Sequence, residues 1–284
     1  MEEKYYTCKY DRAFKEVFLK ENNKDLLKTL IEKVLKIKIK EIKLRPNERN
    51  QDNIRIKRKT YDALVKTENK VIEIEVNANA NEEYVNPRNM SYISDLYSHN
   101  TLKGEEYDDK TEIVQINFSY NLKDKEKIRE YYVQDKSNKK YVENFRIIEI
   151  NMDYFVNLWY TNKEEEINKY KILIMLGLEK EDLKKLSKED KVVSKYMNEL
   201  NKINEDPEFR EYMTYEEDQR KIFNSRMSAA TRKGLQKGIQ KGITERNIEI
   251  AKKMLKENLS TEEILEITDL SIEELNKIKK EITK

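Results

Sequence analysis

Two short strand-like runs, TYDALVKT (60–67) and VIEIEVNA (71–78), the second alternating apolar with polar residues from Ile72 to Asn77, constrain this chain more than any other feature. Only Glu68, Asn69 and Lys70 separate them, with Asn69 able to adopt a positive φ. The pair therefore predicts a β-hairpin. A two-residue turn at Glu68-Asn69 places Asp62 opposite Glu75, and one at Asn69-Lys70 places it opposite Asn77. Side chains alternate along a strand, so Glu73, Glu75 and Asn77 share one face, and Asp62 joins that face in either register. Ile72, Ile74 and Val76 point the other way, toward a core.

Clustered carboxylates raise one another's pKa unless something neutralises them. A divalent cation is one such partner, since Mg²⁺ takes one or two carboxylates and completes its octahedron with waters and substrate phosphates. Asn77, two residues beyond Glu75, would orient a water or a phosphate oxygen through its amide. The plainer reading of the same pattern is an exposed hairpin with a solvated acidic face.

Composition narrows the chemistry by exclusion. A single cysteine, Cys8, rules out an intrachain disulfide and thiolate zinc clusters, and a single histidine, His99, would have to serve any triad or His-based metal site. Carboxylates are left as the carriers of any chemistry. With 57 basic and 55 acidic residues the net charge is +2, too small for bulk charge to argue nucleic-acid binding. No apolar stretch approaches the ~20 residues of a membrane span, and the charged N-terminus lacks the apolar middle of a signal peptide. These features predict a soluble, cytoplasmic protein without a membrane partner.

Along the chain, Ala13, Phe14, Val17 and Phe18 follow helical spacing after Asp11, and Leu26, Leu27, Leu30, Ile31, Val34 and Leu35 trace a second amphipathic helix. KIKIKEIKL (36–44) alternates apart from the adjacent Lys40 and Glu41 and predicts a half-buried strand. Residues 45–59 read as a polar loop or edge. A helix is expected to begin at Pro87 and stop near Gly104, with Met90, Ile93, Ser94, Tyr97 and Leu102 on one side. TEIVQINFSY (111–120) and FRIIEINM (145–152) predict buried strands, so the first half should be an α/β or α+β core, a mixed sheet flanked by helices.

Beyond residue 153 the pattern is helical. Three organisational segments are expected: a core over 1–155, a helical extension over 156–230, and a glycine-repeat helix with a C-terminal helical hairpin over 231–284. The repeat KGLQ, KGIQ, KGIT (233–244) places Gly234, Gly238 and Gly242 beside Leu235, Ile239 and Ile243. It reads equally as a helix built for close approach or as a linker. Ser260/Glu263 and Ser271/Glu274 both match the S-x-x-E capping box. The two helices they open suggest half of a helix-turn-helix or, because the second mixes Glu with Lys, a hairpin for oligomerisation.

Taken in order, several of these residues carry a resemblance. Asp62, IEIEVN (72–77), Pro87-Arg88, Tyr92, Leu96-Tyr97, Gly104, Tyr107 and IVQINF (113–118) resemble the Rpn family of recombination-promoting nucleases, also called PD-(D/E)xK family transposases. The opening Asp11-x-x-Phe14-Lys15-x-x-Phe18 and the tail over 258–275 are similar to that family as well. The resemblance implies a restriction-endonuclease-like core, a divalent cation such as Mg²⁺, and DNA as substrate. It implies Asp62 and Glu75 as acidic metal ligands, the Val76 carbonyl as a third, and Asn77 where the family usually has Gln and related nucleases have Lys. Asp11 and Lys15 match the opening motif and read equally as supporters of the site or as a helix cap and a surface cation, and Arg88 reads equally as a phosphate-neutralising group or an anchor of the following helix. A homo-oligomer formed through the C-terminal helices would suit cleavage of two strands. The alternatives from other classes are a catalytically weakened DNA-binding module of the same fold and a nuclease acting on RNA.

Overall fold

A computed structural model describes residues 4–46, 59–80, 82–99, 110–122, 125–268 and 270–282. Two compact units divide the chain, Met1–Arg210 and Glu211–Lys284.

The first unit opens with α1 (Asp11–Phe18) and α2 (Lys24–Leu35), as their apolar periodicity requires. Strands β1 (Lys43–Leu44), β2 (Ala63–Lys66) and β3 (Lys70–Asn77) form an antiparallel meander. Helix α3 (Glu82–Ser98) then crosses over to β4 (Glu112–Ser119), parallel to β3. β5 (Ile128–Tyr131) lies antiparallel at the edge of β6 (Phe145–Asn151), and β6 runs parallel to β4. The sheet order is β1-β2-β3-β4-β6-β5. Helices α4 (Met152–Tyr160), α5 (Glu164–Ile174), α6 (Lys180–Ser187) and α7 (Lys191–Glu205) complete the unit.

Helices cover both faces of β3, and this positions the site. On one face α1 buries Ala13, Phe14, Val17 and Phe18 completely. Phe14 packs 6.3 Å from Phe118 of β4, and Phe18 packs 5.8 Å from Tyr196 of α7, centroid to centroid. On the other face Ile93 and Leu96 of α3 join Tyr61, Leu64, Val71, Ile113 and Phe145 in one apolar cluster. Every residue of β3 from Val71 to Asn77 is buried in consequence.

Three expectations are corrected. Residues 36–44 are not one strand: Lys36 takes a left-handed conformation (φ 55°) that ends α2, and only Lys43 and Leu44 pair with β2. Ile39 and Ile42, three residues apart, are buried from a loop, where Glu32 Oε1 accepts the Ile39 N–H at 2.8 Å. Helix α3 starts five residues before Pro87, which forgoes one backbone donor inside the helix. The hairpin has no solvated acidic face, because α3 covers it. Gly104, Tyr107, Leu102 and most of the polar stretch 45–59 lie outside the described residues.

The second unit carries most of α8 (Pro207–Lys256), then α9 (Thr261–Thr268) and α10 (Ile272–Ile282). The glycine repeat is helical rather than a flexible linker, and a Cβ added at Gly234, Gly238 or Gly242 would meet nothing within 4 Å. Both capping boxes form. Ser260 N–H donates to Glu263 Oε2 at 2.9 Å and Ser271 N–H to Glu274 Oε2 at 2.8 Å, and the two serine hydroxyls accept the Glu263 and Glu274 N–H groups. Ala251, Ile264, Leu270, Leu275 and Ile278 make a small core between the end of α8 and these two helices.

Candidate active site

The hairpin selects the first of its two registers. Ala63 pairs with Ile74, which sets Asp62 against Glu75, and Thr67 N–H closes the turn on the Lys70 carbonyl at 2.9 Å. The two acids are knitted through backbone. Val76 N–H donates to Asp62 Oδ2 at 2.9 Å, and Asp62 N–H donates to Glu75 Oε1 at 3.3 Å. Asp62 is 7% exposed, Glu75 3% and Glu73 0%. Three carboxylates in so little solvent are unfavourable as three charges.

Their proton affinities reflect this. Burial pushes the Glu75 carboxyl well above the usual carboxylate range, with further upward pressure from Asp62 and Glu73 that Arg88 offsets in part. Burial likewise raises Glu73, to about 8. Asp62 is raised by burial against the opposing pull of Lys15 and the Val76 N–H. Burial disfavours the charge on Lys15, but Asp62 and then Asp11 outweigh it and hold the ammonium above its ordinary value.

Two cations from two helices meet the pair. Lys15 of α1 lies 2.9 Å from Asp62 Oδ1 and 3.5 Å from Asp11. Arg88 of α3 donates to Glu75 Oε2 at 3.3 Å and to Asn77 Oδ1, with its guanidinium 5.9 Å from the Tyr92 ring. Asn77 donates its Nδ2–H to Ser119 Oγ at 3.1 Å. Asp62, Glu75, Val76, Asn77, Lys15 and Arg88 thus come together. Asp11 is more than half exposed and touches the cluster only through Lys15. His99 is an exposed neighbour of Asp95, and Cys8 is buried elsewhere, so neither joins.

Sequence reasoning passed over the next strands. In register, Glu73 faces Gln115, Glu75 faces Asn117 and then Glu149, and Asn77 faces Ser119 and then Asn151. Gln115 Nε2 donates to Glu73 Oε2 at 2.6 Å and to the Asn89 carbonyl at 3.1 Å, and Asn117 Nδ2 donates to Glu149 Oε2 at 3.0 Å. The signal was present as a polar residue at every second position of QINFS (115–119).

The donor set suits a hard cation. It is all oxygen, and buried Glu73 Oε1 and Asn117 Oδ1 have no hydrogen-bond partner. Among the described residues no three Asp, Glu, His or Cys side chains are grouped to hold a metal by themselves. The four carboxylate oxygens of Asp62 and Glu75 are held by the Val76 N–H, Lys15, the Asp62 N–H and Arg88, so a cation there would replace Lys15 or Arg88 and complete its shell with water or phosphate oxygens.

A mixed six-stranded sheet flanked by helices, with paired carboxylates at the hairpin, has the architecture of the PD-(D/E)XK fold. The family described as PD-(D/E)XK nuclease family transposase matches residues 8–231, and the chain belongs to it. No curated protein and no solved structure matches the chain. Among the described residues no helix is long and apolar enough to cross a membrane.

Proposed function

We propose that this protein is a divalent-cation-dependent endonuclease that hydrolyses phosphodiester bonds in DNA, in the setting of recombination, mobile elements or phage defence. The observation that carries this reading is the placement of Asp62 directly opposite Glu75, both nearly fully buried with raised proton affinities. Asp62, Glu75 and the Val76 carbonyl would hold Mg²⁺ or a similar cation. Such a cation would supply Lewis-acid polarisation of the phosphate and a coordinated water that is a stronger acid than bulk water.

The chain's own residues do the rest. The Val76 N–H fixes Asp62, and Lys15 pulls against the rise in that carboxyl's proton affinity. Arg88 stands beside Glu75 with its side chain 42% exposed, so it can turn a charge-assisted hydrogen bond toward a phosphate oxygen. Asn77 offers its amide to a water or phosphate oxygen.

One observation favours a second reading, a binding module of weakened chemistry. Both ends of the Asn77 amide are already engaged, by Arg88 and Ser119. For assembly we commit to a second copy of the chain, joined along the exposed Leu235, Ile239 and Ile243 beside the glycine stripe.

Plasmid DNA and RNA incubated with Mg²⁺ or EDTA test the reading. Wild type should nick DNA only with Mg²⁺, and Glu75→Ala should lower the rate by about a hundredfold or more, the upper end for loss of a metal-supporting group. Equal nicking by wild type and Glu75→Ala overturns the proposed centre. DNA binding without nicking favours the second reading, and cleavage of RNA alone replaces the substrate.

A further inference from the structure

The chain is nearly neutral as a whole, at +2, but its charge is not evenly spread. From Gln219 to Thr244, α8 holds seven Lys or Arg and neither Asp nor Glu, so the remainder of the chain is net acidic. Residues 219–228 and 230–243 are all exposed.

At about 100° per residue, Arg226, Lys233, Lys237 and Lys241 fall within an arc of roughly 80°, while Arg220 lies on the side of the glycines and Lys221 and Arg232 lie on the side of the apolar stripe. Leu235, Ile239 and Ile243 centre roughly 160° away, with the glycines between the two stripes on one side. Arg226, Lys233 and Lys237 have no ion-pair partner among the described residues. Lys241 lies 3.7 Å from Glu245, with both side chains mostly exposed, a pair that water weakens.

We infer that this cationic face of α8 is a binding surface for the phosphate backbone of double-stranded DNA. The inference rests on DNA as the substrate, and it assigns the holding of the duplex to a part of the chain separate from the carboxylate centre. Lysines four residues apart are about 6 Å apart along a helix axis. Alternate phosphates of one strand are about 6.8 Å apart along the duplex axis. A helix about 10–12 Å across also matches the major groove, about 12 Å wide. A membrane-surface helix instead buries a broad face of bulky apolar residues, whereas here that face is bordered by three glycines and carries no aromatic residue between Leu235 and Ile243.

The test uses the full chain, a labelled duplex of arbitrary sequence, and EDTA to prevent cleavage. Anisotropy titrations across a range of salt compare wild type with Lys233→Gln, Lys237→Gln and Lys241→Gln combined. Gln keeps helix propensity, and circular dichroism should be unchanged. The slope of log K against log salt should become shallower by about 2.7, at ~0.9 for each phosphate that the variant no longer neutralises. An unchanged slope overturns the assignment. So does an equal change in a charge-matched variant at the exposed Lys184, Lys188 and Lys191, or a variant that loses binding to phosphatidylglycerol vesicles while keeping DNA. Wild type that binds through this face yet fails to cleave with Mg²⁺ sinks the nuclease reading alone. Cleavage with an unaltered salt slope sinks this surface alone.

Discussion

At the scale of the residue, the centre is a problem of buried charge. Asp62, Glu73 and Glu75 sit where water cannot screen them, and Lys15 and Arg88 answer two of the three. Glu73 has the Gln115 amide, a hydrogen bond shared with Glu75 and the more distant Arg88 charge, and burial still lifts its carboxyl from 4.5 to about 8. Between those values the folded chain holds a proton that the unfolded chain has released, so stability falls as pH rises through this window. In EDTA, the Tm of wild type should decline across 4.5 to about 8 more steeply than that of Glu73→Gln; equal slopes would show that Glu73 ionises normally. The Asp62–Glu75 pair was legible in the sequence because strand period and turn length restrict it to two registers. Its burial was not, because the residues that cover it belong to α3 and to β4, and alternation in β3 alone looks the same whether its polar face meets water or a helix.

At the scale of the element, local patterns were readable where packing agrees with them. Helices α1 and α2, strands β3, β4 and β6, and both capping boxes follow from periodicity and spacing. The 36–44 segment failed because Lys40 and Glu41 break its alternation, burial falls on Ile39 and Ile42 three residues apart, and α2 ends in a left-handed residue beside it. Strand β5 left no signal, since IREY is an edge strand with partial exposure along its whole length. The capping boxes make a sharp prediction. Ser260→Ala and Ser271→Ala each remove the hydroxyl that accepts the third-residue N–H, a loss of about 1 kcal/mol. Amide exchange in α9 and α10 should quicken by about fivefold in the respective variants. Unchanged exchange would mean that the small core around Ile264 and Leu275, rather than the caps, holds these helices.

At the scale of the whole molecule, the first unit carries the carboxylate centre and the second carries a helix whose apolar stripe and glycines face open space. The repeat was visible in the sequence, but propensity could not separate helix from linker, since each glycine costs a helix about 1 kcal/mol relative to alanine. Pairing with a second copy would offset that cost and would bring two centres to two DNA strands. The full chain should therefore sediment as a dimer or larger, and Leu235→Glu with Ile239→Glu should sediment as a monomer. Identical sedimentation of the two would remove the stripe as an interface.

The account turns on whether the hairpin binds a metal. Crystals soaked in Mn²⁺ and measured at the manganese absorption edge answer this directly. The expected result is an anomalous peak between the Asp62 and Glu75 carboxylates, lost in Glu75→Ala crystals. A wild-type map with no peak there, while Lys15 and Arg88 keep their hold on the two acids, would contradict it.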